Sequence, residues 1–349
     1  MIIVRSPLRI SFAGGGTDIP AFYEKYGPGV VVSTSIDKHI YVTLSKKFDG
    51  KVSLRYRVHE NRDSVDQLEH PLVREVLRHY GVKSGVEMTI ISDAPASGSG
   101  LGASSALACA LAAALERYIG RDIQDKDAIA SIAAKIEIDR VGSPIGKQDH
   151  YSSAFGGVNM FRFMPDGMVE REAFEGHDFI SELSDQSMLF YLNIQHTYLD
   201  ARTKERRRDT HFVQKILKEQ VQDMDRQKKI YEMQRDNAVA LWQHMAYEVP
   251  ERFIDHVNEN WRIKKSTHPE ITNAKIEDVI ARATAAGATA AKVCGAGGGG
   301  FVYFVVPPFM QQDVRRALSD LTELRFSFES RGTQVVFDDE TTRMPCEVR

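Results

Sequence analysis

The chain has 349 residues, of which 42% are hydrophobic and 27% are charged. This composition is typical of soluble globular proteins and excludes disordered, collagen-like and membrane-spanning chains. The 45 basic and 48 acidic residues leave a net charge of −3, which argues against nucleic acid or an anionic membrane as the main partner, because both need a basic surface. At about 150 residues per domain, the length predicts two domains.

The cysteines and the N-terminus bear on the cellular compartment. Cys109, Cys294 and Cys346 have no metal-ligand spacing, and so sparse and odd a set predicts reduced thiols. The first ten residues contain Arg5 and Arg9 and no long apolar run, so no secretory signal is predicted. We therefore expect a cytoplasmic protein.

The N-terminal part of the chain has a β pattern. Residues 1–54 contain five strand-like segments, the last of which follows an Asp49-Gly50 turn. The stretch Gly14–Asp18 interrupts them with a turn too rich in glycine for a strand interior. A short helix is predicted for Leu72–Tyr80 and a strand for Val86–Ser92.

Helices and loops alternate in the next part of the chain. A loop rich in glycine and serine, Asp93–Gly102, leads into an alanine-rich helix predicted over Ala103–Ile119. A second helix is predicted for Lys126–Arg140, where apolar residues recur at helical spacing. Because glycines and a proline punctuate Val141–Gly157, this segment is predicted to be a loop.

Beyond residue 157 the composition changes. Strand-like segments lead into Arg202–Tyr247, where charged and long polar residues at helical spacing predict helices. A domain boundary is predicted near residues 180–190. The C-terminal part is predicted to contain a helix, a strand, a glycine run, a strand, a helix and a last strand. Blocks of strands and helices without regular βαβ alternation indicate an α+β fold.

The loop before the alanine-rich helix predicts anion binding. Gly98, Gly100 and Gly102 let the backbone approach a ligand closely, and the unpaired amides at the start of the helix favour an anion. The hydroxyls of Ser104 and Ser105 lie where they reach a metal or a phosphate. We predict a phosphate-binding loop here, and a flexible loop with a serine cap is the alternative.

Other glycine-containing segments are less specific. Gly142–Gln148 comes nearest to a Walker loop, but it has one residue too few between its glycines and lacks the final hydroxyl. The run Gly295–Gly300 matches G-x-G-x-x-G, yet a strand-like segment follows where a dinucleotide site needs a helix. We predict a tight hairpin lining a cleft. Pro7–Asp18 is either a polar ligand site or a bulged turn.

Two carboxylates accompany these loops. Glu137 shares a helix face with small residues, and it is either a solvated residue or a metal ligand. Asp149 lies in a predicted loop, where aspartate usually serves turn geometry. Their combination with a phosphate-binding loop indicates phosphoryl transfer, which needs a carboxylate for Mg²⁺ and a group that orients the attacking hydroxyl.

Together these motifs resemble those of the GHMP kinase superfamily, which includes galactokinase, homoserine kinase and mevalonate kinase. The matching segments, in order, are Pro7–Asp18, Pro95–Ala106 (PASGSGLGASSA), Glu137–Gly157 and Lys292–Gly300 (KVCGAGGGG). The resemblance implies a two-domain α+β GHMP kinase fold. A ribosomal-protein-S5-like N-terminal domain would cover residues 1–185 and a ferredoxin-like C-terminal domain residues 186–349, with ATP and substrate in the cleft between them.

Within the superfamily, the segments SPLRISFAGGGTD and GKQDHYSSAFGG resemble the D-glycero-D-manno-heptose 7-phosphate 1-kinases and close sugar kinases. This implies transfer of phosphate from ATP to the anomeric hydroxyl of that heptose, giving the 1,7-bisphosphate for GDP-heptose or nucleotide-sugar synthesis. The alternatives are a fucose-like or hexose 1-kinase, a catalytically silent sugar sensor and a decarboxylase of the mevalonate branch. Galactokinases carry Glu-His in place of Gly15-Gly16, which argues against galactose.

The resemblance also implies residue roles, with ATP and Mg²⁺ as cofactors and a phosphorylated sugar as substrate. Asp149 would orient or deprotonate the attacking hydroxyl, Arg9 would stabilise the transferring phosphoryl group or lower the pKa of that hydroxyl, and Lys147 would assist. Ser104 and Glu137 would hold Mg²⁺. The implied nucleotide-binding residues are Pro95, Ser97, Gly98, Ser99, Gly100, Leu101, Gly102, Ala103, Ser104 and Ser105. The implied sugar-binding residues are Gly15, Gly16, Thr17, Asp18, Gly297 and Gly298.

The run Arg206-Arg207-Arg208 is the densest basic segment of the chain. It is predicted to be a solvated helix face. Binding of the distal phosphate of a phosphorylated sugar is the alternative, because arginine forks match phosphate oxygens.

Overall fold

The computed structural model describes residues 1–95, 98–121, 123–194, 197–199, 206–208, 212–247 and 250–339. The strands are β1 (Ile2–Ala13), β2 (Gly29–Lys46), β3 (Val52–Arg55), β4 (His59–Arg62), β5 (Val86–Ser92), β6 (Val158–Phe163), β7 (Val169–Ala173), β8 (Ser187–Tyr191), β9 (Thr197–Leu199), β10 (Arg206–Arg208), β11 (Ala290–Val293), β12 (Phe301–Val305), β13 (Thr322–Glu323) and β14 (Gln334–Asp338). They form an eight-stranded sheet, a four-stranded sheet and the pair β9-β10.

The helices fill the intervals between the strands. They are α1 (Pro20–Tyr26), α2 (Pro71–His79), α3 (Ala103–Tyr118), α4 (Lys126–Lys135), α5 (Gln148–Phe155), α6 (His177–Gln186), α7 (Phe212–Gln222), α8 (Lys228–Ala246), α9 (Pro250–Lys265), α10 (Ala274–Ala285) and α11 (Gln311–Ala317). A π-helical turn, Ile136–Arg140, extends α4. The predicted α+β class agrees with this mixture.

The eight-stranded sheet is organised around the long strand β2. Its first part, Gly29–Thr34, pairs with β6, and its second part, Ile40–Lys46, pairs with β5. On its other edge β2 pairs along β1, whose register shifts between Pro7 and Leu8. A proline has no N–H for the ladder, so an irregularity at this position is expected. The shift lies just before Arg9, which belongs to the functional site.

Helix α3 packs against the sheet through almost all of its surface. Its buried residues include Ala106, Ala110 and Ala113, each with no exposed surface. Small side chains let this helix contact β1, β2, α4 and α5 closely. The tight packing fixes the first turn of α3, where the predicted phosphate-binding loop ends.

The four-stranded sheet has the order β11-β12-β8-β13 and its own apolar core. This core includes Phe190, Val302 and Phe304 from the strands and Ile276 and Val279 from α10. Strand β12 begins directly after the glycine run, as predicted, and the glycines connect it to β11 as a hairpin.

The last strand returns to the first sheet. Strand β14 pairs antiparallel with the start of β1, from Ile2 with Asp338 to Arg5 with Gln334. These residues lie in the range predicted for the C-terminal domain, although they complete the N-terminal sheet. The division of the chain into two domains at residue 185 therefore stays a prediction. The pairing of β14 with β1 means that the last strand of the predicted C-terminal range belongs to the first sheet.

Three predicted elements are wrong in detail. The predicted loop Val141–Gly157 contains the helix α5, and the predicted helix Lys126–Arg140 becomes π-helical after Lys135. The segment Arg206–Arg208 pairs as a strand with Thr197–Leu199, so it is not a helix face.

None of the described helices combines the length and the apolar composition that a membrane-spanning helix needs.

Candidate active site

The predicted phosphate-binding loop packs directly against the glycine run of the second sheet. Gly98, Gly100 and Gly102 all have positive φ angles, between 71° and 74°. A Cβ atom on Gly100 would lie 2.4 Å from the carbonyl oxygen of Cys294, and one on Gly300 would lie 2.5 Å from the carbonyl oxygen of Ser99. Only glycine fits at these contacts. The two loops therefore form one surface at the start of α3.

Arg9 and Asp149 form a paired unit beside this loop. The Nε and Nη2 atoms of Arg9 donate to the two carboxylate oxygens of Asp149 at 2.7 and 2.6 Å, and Nη1 donates to the carbonyl of Gly100 at 2.6 Å. Arg9 is buried, whereas the side chain of Asp149 is 19% exposed. Such a bidentate pair fixes the plane of the carboxylate. Arg9 therefore holds Asp149 at the cavity surface.

Glu137 is held at the first turn of α3 by hydrogen bonds. Its Oε2 atom accepts from Oγ of Ser105 at 2.9 Å and lies 2.7 Å from Nε2 of His150. Burial alone would raise the pKa of Glu137, but the hydrogen bond and charge of His150, with the hydroxyls of Ser104 and Ser105, hold this pKa below its usual value. Glu137 is therefore ionised at neutral pH although it is only 3% exposed.

Asp18 is buried in a ring of amide donors. Its carboxylate accepts from the backbone N–H of Gly16 at 2.9 Å, the backbone N–H of Gln148 at 3.0 Å and the side-chain amide of Gln148 at 3.2 Å. Burial raises the pKa of Asp18, and the nearby charge of Asp149 adds to this rise, while the backbone hydrogen bonds oppose it. A Cβ atom at position 146 would lie 1.9 Å from an Asp18 oxygen, so Gly146 is required here.

One cavity of about 1010 Å³ joins these groups. It is lined from the first sheet and its helices by Asp18, Ser104, Glu137 and Asp149, and from the C-terminal part by the glycine run and by side chains of α7, α8 and α9. Its volume is in the range of small-molecule sites. Residues more than 100 positions apart in the chain thus meet at one site.

Most of the predicted site residues line this cavity. The lining members are Arg9, Gly15, Gly16, Asp18, Pro95, Gly98, Ser99, Gly100, Gly102, Ala103, Ser104, Glu137, Asp149 and Gly297. Ser97 lies outside the described residues.

Five predicted residues contact other parts of the protein instead. Lys147 donates to the carbonyl of Gly167 at 3.0 Å, away from the cavity, which does not support an assisting role. Thr17 is buried against backbone carbonyls, Leu101 is buried in the core, and Ser105 is buried against Glu137. The contacts of Thr17, Leu101 and Ser105 support a role in positioning the neighbouring site residues. Gly298 donates its N–H to the carbonyl of Ile271 at 2.7 Å.

Sequence reasoning missed the residues that α8 and α9 contribute. Tyr231 and Gln234 of α8 and Asn260 and Lys264 of α9 line the cavity. They lie in long, highly polar helices, where an inward-facing polar residue resembles a solvated one in sequence. A weak signal exists for Asn260 and Lys264, which are four residues apart and so share one helix face.

Two family models match the chain. The model of the GHMP kinases N terminal domain matches residues 69–157, and the model of the GHMP kinases C terminal domain matches residues 245–323. The chain belongs to the GHMP kinase family. The predicted family and its two-domain fold are thereby confirmed.

The relatives of this GHMP kinase include heptose and fucose kinases. The D-glycero-alpha-D-manno-heptose 7-phosphate kinase of Campylobacter jejuni is 27% identical over 330 residues, which cover 91% of this chain and 93% of that protein. The L-fucokinase/L-fucose-1-P guanylyltransferase of Bacteroides fragilis is 26% identical over 241 residues, covering 55% of this chain and 24% of that protein.

A solved structure agrees in fold with this GHMP kinase over nearly its whole length. The D-glycero-D-manno-heptose 1-phosphate kinase from Bacteroides thetaiotaomicron superposes with a TM-score of 0.76 at 24% identity, covering 97% of this chain and 100% of that one. The two family models and the match to the Campylobacter jejuni heptose kinase make the protein a phosphotransferase related to the heptose phosphate kinases, as predicted.

Proposed function

We propose that this GHMP kinase transfers the γ-phosphoryl group of ATP to the anomeric hydroxyl of a sugar, namely D-glycero-D-manno-heptose 7-phosphate, in nucleotide-sugar synthesis. The observation that carries the proposal is that Asp149, held by Arg9, faces the same cavity as Ser104 and Glu137 at the phosphate-binding loop. The match to the Campylobacter jejuni heptose kinase along 91% of the chain supports the choice of sugar.

The nucleotide would bind with its phosphates over Gly98–Ser104, because this segment lines the cavity and leads into the N-terminus of α3, which favours an anion. Ser104 and Glu137 fit Mg²⁺, because they offer a hydroxyl and an ionised carboxylate, the oxygen ligands this ion prefers. When bound, the ion offsets negative charge on the β- and γ-phosphate oxygens. His150 and Ser105 keep the Glu137 carboxylate oriented towards that position.

Asp149 would orient the sugar hydroxyl and accept its proton late in the transfer. The anomeric oxygen forms a bond to the γ-phosphorus, the bond from this phosphorus to the oxygen shared with the β-phosphate breaks, and ADP leaves. The proton passes to Asp149 and then to solvent. Arg9 keeps both oxygens of Asp149 in a fixed plane throughout.

Unpaired polar atoms in the cavity wall support a substrate with several hydroxyl groups. Oγ of Ser11, Oε1 of Gln148, OH of Tyr231 and Oε1 of Gln234 are buried with no hydrogen-bond partner among the described residues, and all four residues line the cavity. Leaving such a group unpaired costs about 1–3 kcal/mol. A sugar would satisfy them.

Tyr231 occupies the space that Gly16 leaves open. A Cβ atom on Gly16 would lie 2.8 Å from the tyrosine ring. Where galactokinases carry Glu-His in the N-terminal loop, this chain has two glycines and presents side chains from α8. We infer that helix α8 takes part in sugar recognition in place of the loop.

A second sugar 1-kinase activity, on fucose-like sugars or hexoses, is favoured by the partial match to the Bacteroides fragilis fucokinase. A silent sugar sensor is disfavoured, because the chain retains Ser104, Glu137 and Asp149 around one cavity.

An ADP-release assay with a panel of free and phosphorylated heptoses and hexoses tests the proposal. We expect the highest kcat/KM for D-glycero-D-manno-heptose 7-phosphate, with the product phosphorylated at the anomeric oxygen by phosphorus NMR. A higher kcat/KM for fucose or a hexose would support the second activity. Absence of ADP release with every sugar, by a folded protein that binds ATP, would contradict both.

The variant Gln234→Leu tests sugar recognition by α8. Loss of a hydrogen bond between neutral groups should raise the KM for the sugar about 2- to 12-fold, and we expect little change in kcat or in the KM for ATP. The matched control is Gln243→Leu on the exposed face of the same helix, which should leave the KM for the sugar unchanged. An unchanged KM in both variants would exclude Gln234 from sugar binding.

A further inference from the structure

One face of helix α9 contacts two glycine-rich segments of the cavity, the N-terminal turn at Gly14 and the glycine run that starts at Gly295. The side chain of Asn260 accepts from the backbone N–H of Gly14 at 3.1 Å, and Lys264, one turn later, donates from Nζ to the carbonyl of Gly295. The end of the helix is fixed by Thr267, whose hydroxyl donates to the carbonyl of Lys264 at 2.8 Å. Lys264 is therefore held in a defined position, where it lines the cavity.

Besides the exposed Arg57, two other cationic side chains line the cavity, and both already have partners in the protein. All of the Arg9 contacts go to Asp149 and to the carbonyl of Gly100. Nζ of Lys292 donates to the carbonyls of Ser11 and Phe12 at 2.6 and 2.8 Å, so it ties the second sheet to β1. The charge of Arg9 is thus paired with Asp149, and two of the three N–H donors of Lys292 are taken by backbone carbonyls.

Lys264 differs from Arg9 because its Nζ contacts a carbonyl and no carboxylate, and it differs from Lys292 because it contacts one carbonyl, that of Gly295, and not two. In the described part of the chain, no carboxylate forms an ion pair with this lysine. An ammonium group has three N–H donors, and a partly buried cation without a counter-charge is costly. An anion in the cavity would supply the missing charge.

The position of Gly295 indicates which anion this is. A Cβ atom on Gly295 would lie 2.5 Å from Cα of Gly100, so the carbonyl that holds Lys264 belongs to a residue packed on the phosphate-binding loop. The same Gly100 accepts from Arg9, which carries Asp149. Lys264 thus lies where the phosphate-binding loop and the Arg9–Asp149 pair meet.

We propose that Lys264 binds an oxygen of the phosphoryl group that is being transferred, and that it takes the phosphoryl-stabilising role that sequence reasoning gave to Arg9. This inference rests on the proposed kinase function and adds a residue to it. Lysine acts here as a point charge, as it does in other phosphate sites. Arg9 is then a positioning residue for Asp149.

The electrostatic surroundings of Lys264 agree with this role. Burial, together with the charge of Arg9, lowers the pKa of Lys264 to about 8, although Cys294, Asp149 and Asp18 oppose the shift. Lys292 also faces Lys264, and burial lowers the pKa of Lys292 well below its usual value. Bound phosphoryl oxygens would favour the protonated form of Lys264.

Nucleotide binding without turnover is the first test. Dissociation constants for MgADP and for the magnesium complex of a non-hydrolysable ATP analogue are measured by calorimetry for the wild type and for Lys264→Met. We expect the variant to bind the analogue about 10- to 100-fold more weakly, the range for a hydrogen bond to a charged group, and to bind MgADP normally. Equal weakening of both nucleotides, or of neither, would overturn the proposal.

Kinetics provide the second test. Lys264→Met should lower kcat by a similar factor with phosphorylated and with free sugars, and Lys264→Arg should restore part of it. In the wild type, kcat/KM should fall above about pH 8 as Lys264 loses its proton, and this fall should be absent in Lys264→Arg. A raised KM for the phosphorylated sugar alone would assign Lys264 to the distal phosphate and overturn the proposal.

Lys265→Met is the matched control. This neighbouring side chain lies over the ring of Trp261, and its Nζ is 3.4 Å from Glu277. We expect this variant to leave nucleotide binding and kcat unchanged. Because the binding test needs no sugar, it still tests Lys264 if the sugar assignment fails.

Discussion

The variant Asp149→Asn should turn over at least tenfold more slowly than the wild type, on the scale of about 10²–10⁴ that a positioned proton acceptor contributes. The neutral amide keeps the size of the side chain but accepts no proton and offers Arg9 only one oxygen. Since Asp149 does not belong to the phosphate-binding loop, MgATP binding should survive. Single-turnover measurements would separate the chemical step from product release.

A matched control and a clear counter-result accompany this variant. Asp185→Asn removes an exposed carboxylate from α6 and should leave kcat unchanged. Near-normal turnover by Asp149→Asn would remove Asp149 from the mechanism. Loss of MgATP binding in the same variant would instead mean that the Arg9–Asp149 pair maintains the phosphate-binding loop through the contact of Arg9 with Gly100.

Removal of Glu137 should affect both folding and nucleotide binding. In Glu137→Ala the buried His150 and Ser105 lose their common partner. Breaking a buried pair costs about 3–5 kcal/mol, so we expect the free energy of unfolding, measured in urea, to fall by that amount. The Mg²⁺ concentration needed for half-maximal nucleotide binding should rise steeply, because the carboxylate at the first turn of α3 is gone.

Glu137→Gln separates these two effects. The amide keeps the volume and part of the hydrogen bonding, so it should retain more stability than the alanine variant while it still weakens Mg²⁺-dependent binding. The pKa of Glu137 is depressed in the folded protein from its usual 4.5, so its charge stabilises the fold above pH 4.5 and this contribution is lost as the pH falls below it. The difference in the free energy of unfolding between the wild type and Glu137→Gln should therefore become smaller as the pH falls below 4.5.

Asp139→Asn is the control for Glu137, since Asp139 is an exposed acid in the same π-helical turn. It should change neither stability nor the Mg²⁺ requirement. If Glu137→Ala unfolds at the same urea concentration as Asp139→Asn, the hydrogen bonds of Glu137 do not stabilise the fold as argued.

The sequence predicted the site best where the structure is local. The strand Val86–Ser92 has the predicted bounds, and the helix after the phosphate-binding loop begins at Ala103 as predicted. Glycine spacing and a helix start are properties of neighbouring residues, so they can be recognised from a short stretch of sequence.

Helix α5 shows why part of the site was missed. Its eight residues lie between Gly146 and Gly156, and the loop signals on both sides outweighed its short periodic segment. The helix geometry has a functional effect, because it directs three successive residues to three partners: Gln148 to Asp18, Asp149 to Arg9, and His150 to Glu137.

The contributions of α8 and α9 depend on tertiary structure. The sequence around Tyr231, Gln234 and Lys264 is that of solvated polar helices, and only packing against the glycine turns makes these residues face a cavity. Similarly, nothing local indicates that β14 pairs with β1, because their partners lie at opposite ends of the described chain.

The pairing of β14 with β1 also constrains synthesis of the protein. Arg5 and Gln334 are hydrogen-bonded neighbours separated by 329 positions. At about 5–20 residues per second, a ribosome needs roughly 15–65 s between them. Throughout that interval the edge of β1, the strand that carries Arg9, is unpaired in the nascent chain. Such an edge is prone to aggregation, so this enzyme should depend on chaperones during translation more than a chain whose first domain closes early.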